Sequence, residues 1–124
     1  MIAIETTHKR QIIGLGIKFQ THVRPDTRVI IATVLHTTAA LTTADLDPGT
    51  DLDFLAFLAA ITPALKWRHA HDPEHAPDHL LASLIGCSIM IPVEKGTLQL
   101  GRWQRPVLVE LDGPRERLIE IVCL

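Results

Sequence analysis

Four of the seven histidines fall between His69 and His79, at His69, His71, His75 and His79. A fifth, His36, opens a threonine-rich segment at the end of a β-branched run. Imidazole both ligates transition metals and moves protons near neutral pH, so this distribution marks a place for chemistry. His71, His75 and His79 are spaced to share one helical face. Pro73 and Pro77 stand between them, so a continuous helix is not expected. The spacing predicts a loop through His75, with His79 in the first turn of the next helix. A solvated polar loop is the bland alternative, since no motif here fixes a ligand geometry.

His36 leads Thr37 and Thr38, with Thr42 and Thr43 further on; their hydroxyls can donate to an anion or a substrate carbonyl. Equally, threonines are simply good strand formers. Asp45 and Asp47 are the nearest carboxylates, candidates for a base or a metal ligand. Asp47, before Pro48, is better explained as a turn residue. Gly101-Arg102-Trp103-Gln104 joins a permissive glycine to an aromatic and an amide that can line a pocket for a flat heterocycle. Trp103 as an ordinary core aromatic is the alternative. Arg102, Arg105 and Arg115 are candidate phosphate forks. Cys87 and Cys123 are too few and too separated for a disulfide framework or thiolate cage, and each lies in an apolar segment as a small hydrophobe.

The elements that must position these groups follow mostly from a period of two. Residues 1–8 and 11–19 are expected as a pair of N-terminal strands, and 29–35 as a strand covered on both faces. Thr50 or Asp51 is placed to cap a helix whose apolar positions run through Phe54, Leu55, Leu58, Ile61 and Leu65. Asp51 and Asp53 suit its first turn and Lys66 and Arg68 its last, while Pro63 should kink or shorten it. A second helix begins near Pro77 and stops at Gly86. Strands are expected over 88–93, 97–103, 106–111 and 117–123, with turns at Glu94-Lys95-Gly96 and at Asp112-Gly113-Pro114-Arg115, the latter as a hairpin.

These elements imply one α+β domain over 1–124, with mostly antiparallel sheet layers and two short helices. A chain of 124 residues with 47% hydrophobic and 21% charged residues builds its own core. A net charge of −2 argues against general nucleic-acid or anionic-membrane affinity. No apolar run approaches a membrane span, and the first residues lack a leader pattern, so a cytoplasmic location is expected.

Several motifs then occur in one order. His36-Thr37-Thr38-Ala39 with Leu41-Thr42 comes first, then Trp67-Arg68-His69, then His79 opening a Leu-Leu-Ala-Ser-Leu-Ile-Gly helix. Ser88, Ile91-Pro92-Val93, Gly96, Gly101, Trp103-Gln104 and Asp112-Gly113-Pro114-Arg115 follow. Over roughly residues 28 to 122 this set resembles the YjbQ-like family of secondary thiamine-phosphate synthases. The resemblance implies a homotrimer and a histidine site able to take zinc or another divalent metal, with no organic cofactor. It further implies a transferase joining an aminopyrimidine pyrophosphate to a thiazole phosphate. By position His36, His69 and His79 match the family's histidines and become metal ligands or proton-transfer groups, with Asp45 as the nearby acid. Thr37, Thr38, Trp103, Gln104, Arg102 and Arg115 become substrate-binding candidates. Two departures stand out: Thr42-Thr43-Ala44-Asp45 replaces a usual Thr-Ile-Asn-Glu, and Arg102 replaces a threonine. A homotrimeric metal- or ligand-binding module without turnover, and a structural or interaction protein whose histidines are incidental, are the other functional classes that fit.

Overall fold

Alternating apolar residues build two antiparallel sheets, and a helical pair closes the outer side of the second. The computed structural model describes residues 1–124. The strands are β1 (Ile2–Glu5), β2 (Gln11–Gly14), β3 (Val29–Val34), β4 (Ala39–Ala44), β5 (Ser88–Glu94), β6 (Thr97–Leu98), β7 (Arg105–Glu110) and β8 (Glu116–Cys123). The helices are α1 (Gly16–Gln20), α2 (Thr50–Ala60) and α3 (Ala76–Ile85), with a 3-10 turn at Pro73–His75 ahead of α3. One sheet has the order β1-β8-β3-β5-β6 and the other β2-β7-β4.

The layers follow from which residues alternate inward. Ile30, Ala32 and Val34 of β3, Ile91 and Val93 of β5 and Ile119 of β8 meet Ala39, Leu41 and Leu108 of the smaller sheet. The opposite face of that sheet, with Ala40, Val107 and Val109, packs on Leu58 of α2 and Leu81 and Ala82 of α3. The three-stranded sheet is therefore covered on both sides, and β7 is buried from Pro106 to Glu110. The outer face of the five-stranded sheet is covered by nothing in the chain. The expected α+β class of sheet layers with short helices is what forms.

Several local expectations fail for identifiable reasons. β1 and β2 are not partners: β1 pairs with β8 and β2 with β7, so the chain changes sheets between them. The second apolar run breaks after Gly14, and residues 16–20 coil into α1 to bury Phe19. The segment after β7 is likewise no hairpin, because β7 and β8 belong to different sheets. There the Gly113–Pro114 peptide is cis. A side chain at Gly113 would collide with the His8 carbonyl and the Thr6 hydroxyl, so the close crossing of these segments requires glycine.

Gly49, in the left-handed region at φ 89°, starts α2, with no capping side chain from Thr50 or Asp51. α2 ends at Ala60, ahead of Pro63, so Ile61 and Leu65 stand beyond it and exposed, and Lys66 and Arg68 do not complement its last turn. Only residues 97–98 of the expected 97–103 strand pair. Lys95 and Gly96, both at positive φ, form the tight turn expected between β5 and β6. Strand β3, expected to be covered on both faces, is covered on one, and β7 fills the doubly covered role. No helix is long and apolar enough to cross a membrane.

Candidate functional site: a histidine and arginine cleft

Strand β3 ends at Val34 and the chain turns through His36 and Thr37 before entering β4. This bend meets the first turn of α3 and the segment leading into β8. Together they line a cleft of about 740 Å³ whose walls include His36, Thr37, Thr38, His79, Arg115 and Arg117. Only Leu35 among its lining residues is hydrophobic. Behind His36 an adjoining, more apolar hollow of about 470 Å³ is lined by Val34, Leu35, Ala39, Ala82 and Cys87. Cys87 is thus exposed rather than a buried hydrophobe, whereas Cys123 packs against the main core; both are free thiols.

His36 Nε2 accepts the Leu118 backbone N–H at 2.9 Å. An acceptor nitrogen carries no hydrogen, so the neutral ring holds its hydrogen on Nδ1. Burial, together with the charges of Arg117 and Arg115, outweighs Glu110 and lowers the His36 pKa below its usual 6.5. His36 is therefore a neutral hydrogen-bond donor through Nδ1 at pH 7. Ligating a metal would require it to release Leu118 or become an imidazolate.

The floor of the cleft is a buried ion pair. Glu110 is fully buried and Arg117 2% exposed, each on a strand whose other fully buried side chains, such as Leu108 and Ile119, are apolar. Arg117 donates from Nε and Nη2 to both Glu110 oxygens and from Nη2 to the Thr38 hydroxyl and carbonyl. Thr6 and the Asp112 N–H also donate to Glu110. Burial by itself would raise the Glu110 pKa, but these bonds and the Arg117 charge hold it below the ordinary value. Arg117 Nη1 makes none of these bonds, and no buried side-chain atom lacks a partner, so Nη1 reaches the surface of the cleft.

Around this floor the charges are mostly paired. Lys9 bridges Asp78 at 2.6 Å and Asp112 at 2.7 Å, and Arg10 reaches Asp78 at 3.0 Å. Arg115 donates through Nε to the Asp112 carbonyl and through Nη2 to its carboxylate. Burial would raise Asp112, but Lys9 and Arg115 keep its pKa below normal. His75 Nδ1 stands 3.7 Å from Asp112 and Nε2 3.3 Å from Asp72. Glu116 is the acidic group left at the rim. What remains uncommitted is chiefly donors: Nη1 of Arg115 and of Arg117, Nδ1–H of His36 and the exposed Thr37 hydroxyl.

The structure joins some of the expected residues and separates others. His36, Thr37, Thr38, His79 and Arg115 share the cleft. His69 lies beside His79, with ring centroids 4.7 Å apart and the rings tilted at 50°, while His71 is exposed. Asp45 and Trp103 line a separate small hollow with Arg105. Ala39 pairs with Glu110 at the cleft end, and Ala44 with Arg105 at the other, so about 17 Å of strand separates the two groups. Trp103 is 57% exposed, not a core aromatic, and Arg102 sits 4.9 Å from its ring. Gln104 is held by Thr43 and Gly101. Arg102, Trp103, Gln104 and Asp45 therefore lie outside the cleft that holds His36.

Within one chain no three His, Cys, Asp or Glu side chains converge as a metal set. Zinc sites take at least three protein ligands, so this chain alone does not fit one. Sequence reasoning missed Glu110, Arg117, Asp112 and Lys9, and left His75, which lines the cleft, without a site role. The available signal was charge at inward strand positions: Glu110 in an aliphatic run and Arg117 in step with Ile119.

Comparison with known proteins settles the kinship. The family model described as UPF0047 protein YjbQ-like matches residues 1–124. The chain belongs to the YjbQ-like family. A UPF0047 protein of Archaeoglobus fulgidus is 32% identical over 124 residues, covering 99% of this chain and 98% of that one. YugU of Bacillus subtilis, another UPF0047 protein, is 30% identical over 94% of this chain and 91% of its own. The crystal structure of the hypothetical protein TT1486 from Thermus thermophilus superposes with a TM-score of 0.87 at 31% identity, covering 100% of both chains. A YjbQ/UPF0047 protein of Clostridium acetobutylicum gives 0.89 at 29% identity, over 99% of this chain and 98% of that one.

Proposed function

We propose that the cleft binds the phosphate or pyrophosphate group of a small phosphorylated heterocycle. The observation that carries this is the set of donors left unpaired there, on Arg115, Arg117, His36 and Thr37. Phosphate offers only acceptors, and arginine donors suit it geometrically. Arg117 is held by Glu110 and Thr38, so its remaining donor is fixed before a ligand arrives.

Within the YjbQ-like family, the reaction this site serves best is transfer of an aminopyrimidine methyl group from pyrophosphate to a thiazole phosphate, in a cytoplasmic homotrimer. The thiazole nitrogen lone pair forms the new C–N bond as the C–O bond to pyrophosphate breaks, and that electron pair leaves on pyrophosphate. Little covalent help is needed; the protein must align the reactants and stabilise the leaving charge. Arg115 and Arg117 meet that charge and neutral His36 adds an N–H. A second reading, a metal- or ligand-binding module without turnover, is favoured by the adjacent His69 and His79 rings; a metal there needs donors from outside the chain.

The test is calorimetric titration with inorganic pyrophosphate, followed by incubation with both heterocycles and chromatographic search for thiamine phosphate. Arg115→Ala should weaken pyrophosphate about tenfold or more, the value of a charge-assisted bond. Absence of pyrophosphate binding sinks the cleft assignment. Binding without product leaves the module.

A further inference from the structure

The apolar hollow behind His36 takes no part in the phosphate contacts. It lies between the β3–β4 bend and the end of α3, and it shares Leu35, His36 and Thr37 with the cleft. No Asp, Glu, Lys or Arg lines it, whereas Asp112, Arg115, Glu116 and Arg117 line the cleft. Small residues make the space: Ala39, Ala82 and Gly86 each offer one side-chain carbon or none. Gly86 has φ 109°, and a Cβ there would meet no atom within 4 Å. Backbone bonds hold these walls in place. The Gly86 N–H donates to the Ala82 carbonyl at 2.9 Å, the Leu41 N–H to the Gly86 carbonyl at 3.0 Å and the Val34 N–H to the Cys87 carbonyl at 2.8 Å. The hollow is therefore formed before a ligand arrives.

We propose that this hollow seats the uncharged planar ring of the phosphorylated ligand, which lies across His36 with its anion in the cleft. The proposal rests on the phosphate reading of the cleft and adds where the rest of the ligand goes. Helix α3 fixes the direction. His79, near its start, lines the cleft, while Ala82, Ser83 and the following Gly86 line the hollow. The helix dipole is positive toward the cleft and negative toward the hollow, so an anion is favoured in the first and disfavoured in the second. A volume of about 470 Å³ with apolar walls and a few polar groups is ordinary for a small-molecule site. The exposed Thr37 and Ser83 hydroxyls can orient ring nitrogens. A sugar ring would press its hydroxyls against Val34, Leu35 and Ala39 and lose water without replacement.

Calorimetric titration with inorganic phosphate, ribose 5-phosphate and 3-pyridylmethyl phosphate tests it. The pyridyl ester should bind about tenfold tighter than phosphate, as burial of one aromatic ring predicts, and ribose 5-phosphate less than about threefold tighter. The exposed Cys87 thiol reports occupancy of the hollow. Its labelling by N-ethylmaleimide, read by peptide mass spectrometry, should slow about tenfold with the pyridyl ester at about ten times its dissociation constant. Phosphate at the same occupancy should not slow it. Cys87→Trp should fill the hollow and bring the ratio of the phosphate and pyridyl-ester constants to about one. Ser83→Trp, at an exposed position on α3, should do the same, so a folding failure in one variant leaves the other. Absence of any phosphate binding overturns the cleft reading and this proposal with it. Phosphate binding without tighter binding of the pyridyl ester, an equal advantage for ribose 5-phosphate, or equal protection of Cys87 by phosphate overturns the ring seat alone.

Discussion

His36 shows how one backbone contact sets a side chain's chemistry. Leu118 occupies Nε2, and burial with Arg117 and Arg115 disfavours the cation. The ring should therefore titrate below 6.5, with its hydrogen on Nδ1 below neutrality only until protonation, as long-range proton–nitrogen NMR of the imidazole would record. Arg115→Met should move the midpoint upward; a midpoint above 6.5 in wild type contradicts the assignment. A lowered folded value means that His36 favours the folded state above 6.5, and that this contribution fades as pH falls through the folded pKa. The Glu110–Arg117 pair is the larger residue-scale determinant. Arg117→Met would leave Glu110 charged and unpaired in the core, at a cost of about 3–5 kcal/mol. The Glu110→Met, Arg117→Met double variant should lose less than the sum of its single changes, measured by urea unfolding, because neither charge is then stranded.

At the scale of elements, Asp78 ties the helix carrying His79 to the β1–β2 connection through Lys9 and Arg10. Asp78→Ala should cost about 1–3 kcal/mol and speed amide hydrogen exchange in α3 while leaving β7 protected. Equal loosening of β7 would show that α3 is not separately held. This tie also marks the boundary of what could be seen in sequence. Helix α3, the β5–β6 turn and strands β3 and β5 were legible because proline, glycine and apolar runs act locally, whereas β4, with its threonines, was not expected as a strand. The His36 bend was legible because it ends a β-branched run. The crossing of β1 and β2 into different sheets was not, since period two assigns a strand a buried face but not a partner. Nor was the Lys9 bridge, whose partners lie 69 and 103 residues away. The separation of Trp103 from His36 was hidden for the same reason: it depends on which ends of β4 and β7 meet.

For the molecule as a whole, the charge networks predict how stability responds to acid. Glu110 and Asp112 both have folded pKa values below their usual 4.5 and 3.8, because the bonds from Arg117, Lys9 and Arg115 outweigh burial. The unfolded chain therefore takes up protons first as pH falls, and stability drops with them. Their contribution is complete above about 4.5 and is lost as pH falls through the lower folded values. Glu5 acts in the opposite sense: its hydrogen bond and repulsion with Glu116 raise its pKa, so protonation favours the folded state and softens the acid limb. Glu110 sits at the join of both sheets and Glu5 at an exposed edge, so the core pair should dominate. The melting temperature should decline mildly below about pH 6.5 as His36 protonates and fall steeply below about pH 4. In Glu110→Gln, which cannot ionise, the melting temperature should be lower at pH 7 and its acid limb shallower. Parallel acid limbs for the two proteins would show that Glu110 is not the group whose protonation opens the fold.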